Sequence, residues 1–163
     1  MTKFGALVLL FLLAPAATAA PSKSALYGTW QLVSYTRQVV ATGERTDLFG
    51  KNPRGFISYG RDGRMSVIIV KDDRPAPADL ATMTDQQRAD LFRTVIAYAG
   101  TYTVGKSVVT HHVQISWNQA WTGTDQARNI KFEGSRLVLS TNAQPNSVDG
   151  KVSVSVLVWE KLK

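Results

Sequence analysis

Short segments rich in Val, Ile, Thr and aromatic residues recur along this chain and are separated by glycine-containing turns, a pattern typical of β-strands. About eight such segments are present, at residues 28–37, 55–59, 65–70, 100–104, 107–116, 125–133, 136–141 and 151–161. Several of the turns are tight, so segments adjacent in sequence should pair. An antiparallel meander of about eight strands protects its edges by closing into a barrel. The sequence therefore predicts an all-β, antiparallel meander barrel.

One segment departs from the strand pattern. Thr84 and Gln87 have the spacing of a capping box, in which each residue satisfies a backbone N–H at the start of a helix. Apolar residues follow at helical spacing, which predicts one amphipathic helix near residues 85–98, inserted between the third and fourth strands. We expect its apolar stripe to pack across the barrel wall or one open end, and that stripe consists of Leu91, Phe92, Val95 and Ile96.

The N-terminal segment has the pattern of a secretory signal peptide. Lys3 precedes an apolar run, and Ala17 and Ala19 have the small-x-small spacing that a signal peptidase recognises. The run is shorter than the roughly 20 residues that a spanning helix needs. We expect residues 1–19 to be removed after Ala19. The barrel domain of residues 20–163 would then be periplasmic or secreted, with no stable membrane anchor.

The composition excludes several classes of function. The chain has no cysteine, which excludes disulfides, cysteine zinc sites and thiol nucleophiles. Its net charge of +7 is spread along the sequence and interrupted by acidic residues, unlike the continuous basic face of a nucleic-acid-binding protein. No phosphate-binding loop or dinucleotide motif is present, so no cofactor is expected. His111 and His112 are adjacent on a predicted strand and point apart, so no metal site is expected either.

Two polar residues fall on inward-facing strand positions. Alternation along residues 107–116 places His111 on the apolar face, with His112 on the outer face. Alternation along residues 125–133 places Arg128 on the same face as Ile130 and Phe132. A buried cation is costly without a partner. Arg128 must therefore meet an internal partner, such as Asp125 or a backbone carbonyl, or it must meet a ligand.

These positions define a candidate ligand site inside the barrel. His111 and Arg128 would be its polar anchors, and the wall would include Val109 and Leu139. Trp117 and Trp121 flank a loop at one barrel end, which favours them as ligand contacts over the other aromatic residues. The candidate ligand-binding residues are His111, Arg128, Trp117, Trp121, Tyr35, Tyr102, Val113 and Phe132.

Several motifs resemble the lipocalin-like domain proteins of bacteria and fungi. Residues 26–35 read LYGTWQLVSY, similar to the opening of that family, and residues 55–67 resemble its Gly-x-Ile-x-Tyr…Asp-Gly-x-Met-Ser-Val hairpin. Further similar segments follow in order at residues 98–102, 111–113, 123–128, 137–139 and 158–160. The resemblance implies a lipocalin-like barrel in which Trp30 closes one end and packs near a basic residue, Arg37 or Lys161. It supplies no catalytic residues.

Three functions remain open from the sequence. The first is an exported protein that binds a small, largely apolar or amphipathic ligand, neutral or anionic, in a mostly apolar pocket. The second is an enzyme of the cyclase, isomerase or hydratase type. It would use His111 as general acid or base, with Arg128 stabilising negative charge and Tyr35 or Tyr102 assisting. The third is a structural or protein-binding barrel with a filled core. The sequence does not set the oligomeric state.

Overall fold

The computed structural model describes residues 22–146 and 149–163, and the expected signal peptide lies outside these ranges. The helices described are α1 (Lys23–Leu26), α2 (Asp85–Arg93) and a 3₁₀ turn at Gln119–Trp121. The strands described are β1 (Gly28–Val39), β2 (Arg45–Asp47), β3 (Arg54–Tyr59), β4 (Arg64–Val70), β5 (Val95–Val104), β6 (Val108–Ser116), β7 (Asp125–Glu133), β8 (Arg136–Ser140), β9 (Gln144–Pro145) and β10 (Val152–Lys161).

Eight of the described strands form a closed antiparallel barrel, which confirms the predicted fold class. They pair in the order β1-β3-β4-β5-β6-β7-β8-β10, and β1 also pairs with β10 to close the barrel. The short strands β2 and β9 pair at the edges of β1 and β10. Closure pairs the backbone groups that an open sheet would leave at its edges.

One end of the barrel is closed by the segment that precedes the first strand. Leu26 of α1 is fully buried, and its carbonyl oxygen accepts a hydrogen bond of 2.8 Å from Trp30 Nε1. Lys161 Nζ lies 5.2 Å from the centre of the Trp30 ring, a cation–π distance. Lys161 is therefore the basic residue beside Trp30. Arg37, the other candidate, instead makes a bidentate ion pair with Asp149.

The alternation of inward and outward positions follows the prediction on β7, and on β6 as far as Val113. Beyond that residue the prediction is wrong, because a register shift against β5 turns Ile115 outward, where it is 67% exposed. Val109, His111 and Val113 are buried, whereas His112 lies on the outer face, where its Nδ1 is 2.7 Å from Asp125 Oδ1. On β7 the inward face carries Gln126, Arg128 and Ile130, and Ile130 is buried.

The inserted helix is shorter than predicted. Its start is confirmed, because Thr84 and Gln87 form both hydrogen bonds of the capping box. The helix ends at Arg93 rather than at residue 98, and Val95 begins β5 by pairing with Val70. Strand pairing with β4 therefore overrode the helical spacing of the apolar residues, and β-branched side chains suit a strand.

The predicted packing of the helix stripe is also wrong. No residue of α2 is buried, and Phe92 is 50% exposed, with its ring 6.2 Å from that of Trp117. The four residues of the predicted stripe lie in two different elements, because Leu91 and Phe92 belong to α2 and Val95 and Ile96 belong to β5. The helix lies outside the cavity described below, so it does not act as a lid over the cavity in this structure.

Candidate ligand-binding cavity

The barrel interior contains a cavity of about 400 Å³. This volume lies within the range of pockets that hold small organic ligands. The third possibility left open by the sequence, a barrel with a filled core, is therefore wrong. The apolar part of the wall comes from inward-facing residues on five strands and comprises Ile57, Val67, Ile69, Ile96, Leu139, Leu157 and the ring of Trp159. Alternation along each strand produces this wall, because every second residue faces inward.

The polar part of the wall lies where two neighbouring strands separate. β7 pairs with β8 only from Asn129 onward, so the first half of β7 has no partner strand on that side. The segment that follows β8 runs along this gap. Asn129 Nδ2 donates a 3.0 Å hydrogen bond to Asn142 Oδ1 at the end of the gap where β7 begins to pair with β8. The polar residues that line the cavity here are Asp125, Gln126, Arg128, Thr141, Asn142, Gln144 and Ser155. The cavity is therefore apolar inside and polar at the gap.

Arg128 lines the cavity without a carboxylate partner among the described residues. Its Nη1 donates to the Ala127 carbonyl oxygen at 2.8 Å, and its Nη2 to Gln126 Oε1 at 3.4 Å. Asp125, the carboxylate suggested by the sequence, is paired with His112 instead. A guanidinium has five N–H donors, and these two bonds engage only part of the group. Arg128 is thus positioned by its own strand and can still bind an acceptor.

His111 also lines the cavity and is 1% exposed. Its Nε2 is 2.8 Å from the hydroxyl oxygen of Tyr59, and its Nδ1 is 2.9 Å from that of Tyr98. Burial, helped by the positive charge of Arg128, lowers the pKa of His111 to about 3. The ring is therefore neutral at pH 7, with one nitrogen donating and the other accepting. Both nitrogens are engaged, which leaves His111 poorly suited to act as a general base.

The two tyrosines that contact His111 differ in their access to the cavity. Tyr98 lines the cavity, whereas Tyr59 lies behind it against Tyr102, with ring centres 4.9 Å apart. Burial raises the pKa of Tyr98 and raises that of Tyr59 well above its usual value. Both hydroxyls are therefore protonated near neutral pH and can donate hydrogen bonds.

Four of the sequence-derived candidates come together in the cavity wall. They are His111, Arg128, Tyr35 and Trp121. Burial raises the pKa of Tyr35, so its hydroxyl is also protonated at neutral pH. The Trp121 ring contacts Tyr98, with ring centres 5.8 Å apart. Leu139, predicted as part of the wall, lies there as well.

The other candidates do not line the cavity. Tyr102 is buried, and its hydroxyl donates to the Gly60 carbonyl oxygen at 2.9 Å, away from the cavity. Val113 and Val109 are buried inward-facing residues that belong to the packed part of the core.

Phe132 faces inward near the closed end, where it is 36% exposed and lies 6.2 Å from the Trp30 ring. Trp117 packs against Trp121 from outside the cavity. Alternation along a strand predicts which face a residue occupies, but not its position along the barrel axis.

Sequence reasoning missed several lining residues. Tyr98 falls at the end of the predicted helix, where strand alternation gives no face to a residue. Gln126 shares its face with Arg128, and the same alternation could have found it. Trp159 is 1% exposed, lines the cavity, and has a buried Nε1 with no hydrogen-bond partner among the described residues. No sequence signal marks that unpaired N–H.

The residues that the structure describes contain no group of three or more His, Asp or Glu side chains arranged to hold a metal ion. Within the same ranges, none of the helices has the length and apolar character required to span a membrane.

Comparison with known proteins agrees with this architecture. The family model described as a lipocalin-like domain matches residues 27–162. The chain belongs to the lipocalin-like domain family. Within this lipocalin-like barrel, the Gly28–Trp30 motif and the closing contact with Lys161 are as the resemblance implied.

Individual relatives extend the comparison. The 4'-hydroxy-3'-methoxypropiophenone carrier protein of Aspergillus oryzae is 34% identical over 87 residues, which cover 48% of this chain and 78% of that protein. A lipocalin-like protein from Bacteroides uniformis has a TM-score of 0.45 and 15% identity, covering 85% of this chain and 99% of its own. An uncharacterized protein from Bacteroides eggerthii has a TM-score of 0.40 and 13% identity, covering 84% and 99%.

Proposed function

We propose that this lipocalin-like protein is a carrier that binds one small, largely apolar ligand with a polar or anionic end. The observation that supports this most is the cavity of about 400 Å³, with an apolar inner wall and Arg128 at its polar side. Because no described carboxylate neutralises Arg128, an oxyanion or carbonyl oxygen of a ligand would be a favourable partner.

The relative named as a carrier supports the same class of ligand. 4'-Hydroxy-3'-methoxypropiophenone is a small aromatic ketone with oxygen atoms at both ends of an apolar ring. A ring of this kind would contact the Ile57, Val67 and Leu157 side chains, and a phenolic or carbonyl oxygen would reach the polar side of the cavity. We therefore propose a small aromatic carbonyl or phenolic compound as the ligand.

The state of His111 favours a carrier over an enzyme. A general acid or base works best with a pKa near the operating pH. The pKa of His111 is lowered to about 3, and both of its ring nitrogens already contact tyrosine hydroxyls. The enzymatic alternative thus loses its candidate base, while the same network suits a rigid binding site.

We also propose that the carrier acts outside the cytoplasm, in the periplasm or the medium. This rests on the signal-peptide pattern of residues 1–19. Sequencing the N-terminus of exported protein tests it. Export predicts a start at Ala20 or Pro21, and an intact Met1 on exported protein would contradict it.

Calorimetric titration with 4'-hydroxy-3'-methoxypropiophenone tests the carrier function. We expect saturable one-to-one binding, weakened by a factor of about 10–150 by Arg128→Gln, because a hydrogen bond to a charged group contributes roughly 1.5–3 kcal/mol. Arg64→Gln is the matched control, because Arg64 is exposed at the start of β4 and does not line the cavity. Mass spectrometry of the bound compound should recover it unchanged. Chemical conversion of the compound would overturn the carrier assignment, and absence of binding would overturn the ligand class.

A further inference from the structure

Three polar side chains form a hydrogen-bonded chain on the outer face of the barrel. Thr103 lies on β5, His112 on β6 and Asp125 at the start of β7. Thr103 Oγ1 is 3.0 Å from His112 Nε2, and His112 Nδ1 is 2.7 Å from Asp125 Oδ1. The two contacts use both nitrogens of the same imidazole ring. A hydroxyl, an imidazole and a carboxylate therefore lie in the order that an acyl-transfer triad requires.

The carboxylate sets the direction of the hydrogen bonds in this chain. An ionised carboxylate can only accept, so His112 Nδ1 donates to Asp125 and carries the ring proton. In the neutral ring Nε2 is then an acceptor, and the Thr103 hydroxyl donates to it. This is the arrangement in which an imidazole removes the proton of a hydroxyl that attacks a carbonyl carbon.

The hydroxyl of Thr103 is accessible from outside the barrel. Thr103 is exposed, and the side chains of His112 and Asp125 are 36% and 65% exposed. Neither Thr103 nor His112 lines the cavity, whereas Asp125 borders it at the gap. An exposed site contributes little binding energy to a large substrate, so the reactivity must come from the acyl donor. The substrate class is therefore a small acyl group attached to a good leaving group.

Thr110 adds a hydrogen-bond donor beside the hydroxyl of Thr103. It lies directly opposite Thr103 in the pairing of β5 with β6, on the same outer face. Side chains in such positions have Cβ atoms about 4.5–5.5 Å apart. The Thr110 hydroxyl has no hydrogen-bond partner among the described residues. It can therefore donate to the oxyanion that forms when the oxygen of Thr103 attacks a carbonyl carbon.

We infer that Thr103, His112 and Asp125 form an acyl-transfer site on the outer face of the barrel, which hydrolyses activated esters of small carboxylic acids. Thr103 and His112 are its catalytic residues, and Asp125 is a positioning residue that fixes the tautomer of His112. This activity is separate from the proposed carrier function, so the failure of either one leaves the other standing.

The reaction proceeds in two balanced steps. Thr103 Oγ1 forms a bond to the carbonyl carbon of the ester while its proton moves to His112 Nε2. The bond from that carbon to the leaving oxygen breaks, and His112 returns the proton to the leaving oxygen. Water then attacks the Thr103 ester, and its proton passes through His112 to Thr103 Oγ1. The net change converts an ester and water into a carboxylic acid and an alcohol.

Release of 4-nitrophenolate from 4-nitrophenyl acetate tests the inference on the full-length protein. The assay is run at about pH 8, where an ordinary histidine is largely neutral. Lysines and histidines of any protein also react with this ester, so the comparison of variants carries the result. We expect Thr103→Val to remove the part of the rate due to the triad, and Thr103→Ser to restore it. Equal rates in Thr103→Val and the unmodified protein would overturn the inference.

The site of acetylation is read by peptide mass spectrometry after rapid quenching. We expect acetyl on Thr103 to form roughly 100-fold faster than on Thr46, an exposed strand threonine that contacts no histidine, because a general base contributes at least that much. Neutral hydroxylamine should remove acetyl from Thr103, an ester, and leave it on lysine amides. Acetyl on His112 in place of Thr103 would contradict the role of Thr103 as nucleophile.

Further variants separate catalysis from a structural role. His112→Gln and Thr110→Val should slow the release of 4-nitrophenolate, whereas Thr46→Val is the control and should not. Thermal melts of each variant measure the effect on the fold. If the outer side chains only stabilise the sheet, the melting temperatures will fall and the rates will stay equal, which overturns the inference.

Asp125 has a spectroscopic measurement of its own. Long-range ¹H–¹⁵N correlation spectra of the ¹⁵N-labelled protein distinguish a proton on Nδ1 from one on Nε2. We expect the His112 proton on Nδ1 in the unmodified protein. Asp125→Asn should weaken that preference and slow the reaction, because an amide can donate to Nδ1, and Asp125→Glu should restore both. A proton on Nε2 in the unmodified protein would overturn the positioning role of Asp125.

Discussion

Acid should destabilise this protein well above the pH at which its carboxylates titrate, because His111 resists protonation in the folded state. Its pKa is about 3 in the fold, against roughly 6.5 in an unfolded chain. Between these values the unfolded state binds a proton that the folded state does not. Stability therefore rises with pH in this window, and the contribution of His111 is lost as pH falls from about 6.5 toward 3.

The size of the effect follows from the linkage relation. Lowering the pH from 7 to 5 protonates His111 almost completely in the unfolded chain and hardly at all in the fold. The resulting loss is about 2 kcal/mol in the free energy of unfolding. A domain of this size has roughly 5–15 kcal/mol in total, so the loss is readily measured. Carboxylates titrate mainly below pH 5, so they contribute little to the difference in stability between pH 7 and pH 5.

Urea unfolding at pH 7 and pH 5 measures the loss, and His111→Gln removes the titrating group. We expect the variant to be less stable at pH 7, because the contacts with Tyr59 and Tyr98 change. Its loss between pH 7 and pH 5 should be about 2 kcal/mol smaller than that of the unmodified protein. His112→Gln, at the neighbouring outward position, should keep the His111 contribution. Equal losses in the unmodified protein and His111→Gln would show that His111 titrates normally, which would refute its buried neutral state.

Four other substitutions test the structure of the barrel. Arg128→Gln should change the free energy of unfolding by less than about 1.5 kcal/mol, since it leaves no buried carboxylate unpaired, and a loss of roughly 3–5 kcal/mol in urea melts would reveal a hidden ion pair. Phe92→Ala should cost less than about 1 kcal/mol, whereas Leu139→Ala in the cavity wall should cost about 2–5 kcal/mol, and comparable losses in thermal melts would contradict the exposed position of the helix. Gly100→Ala should lower stability by at least about 1–3 kcal/mol, because its Cβ would collide with the carbonyl oxygen of His112, and an unchanged melting temperature would contradict that packing.

Local patterns in the sequence were sufficient to predict most of the barrel. The strand at Asp125–Glu133 has the predicted bounds, and most other strands differ from the prediction by one or two residues. The capping box of α2 was also predictable, because Thr84 and Gln87 interact with backbone only three residues away. The end of that helix was not predictable. Val95 and Ile96 fit either a helix or a strand, and their pairing with β4 decided between the two.

The cavity shows the same division between local and long-range information. Two-residue periodicity placed His111 and Arg128 on inward faces, because it depends only on the alternation of a strand. It did not place Phe132, which has the correct face but lies near the closed end beside Trp30. The position of a residue along the barrel depends on the register and tilt of all the strands, and no single strand contains that information.

The sequence by itself determined the all-β class, the order of the strands, the inserted helix start and the inward faces that carry His111 and Arg128. These features depend on interactions between residues close in sequence. Only the tertiary structure decided that His111 lies between Tyr59 and Tyr98, that Arg128 lacks a carboxylate partner among the described residues, and that an unfilled cavity remains. The tyrosines that contact His111 are 52 and 13 residues away from it in the chain. Such contacts, and the volume left between the strands, depend on how the closed sheet brings distant segments together.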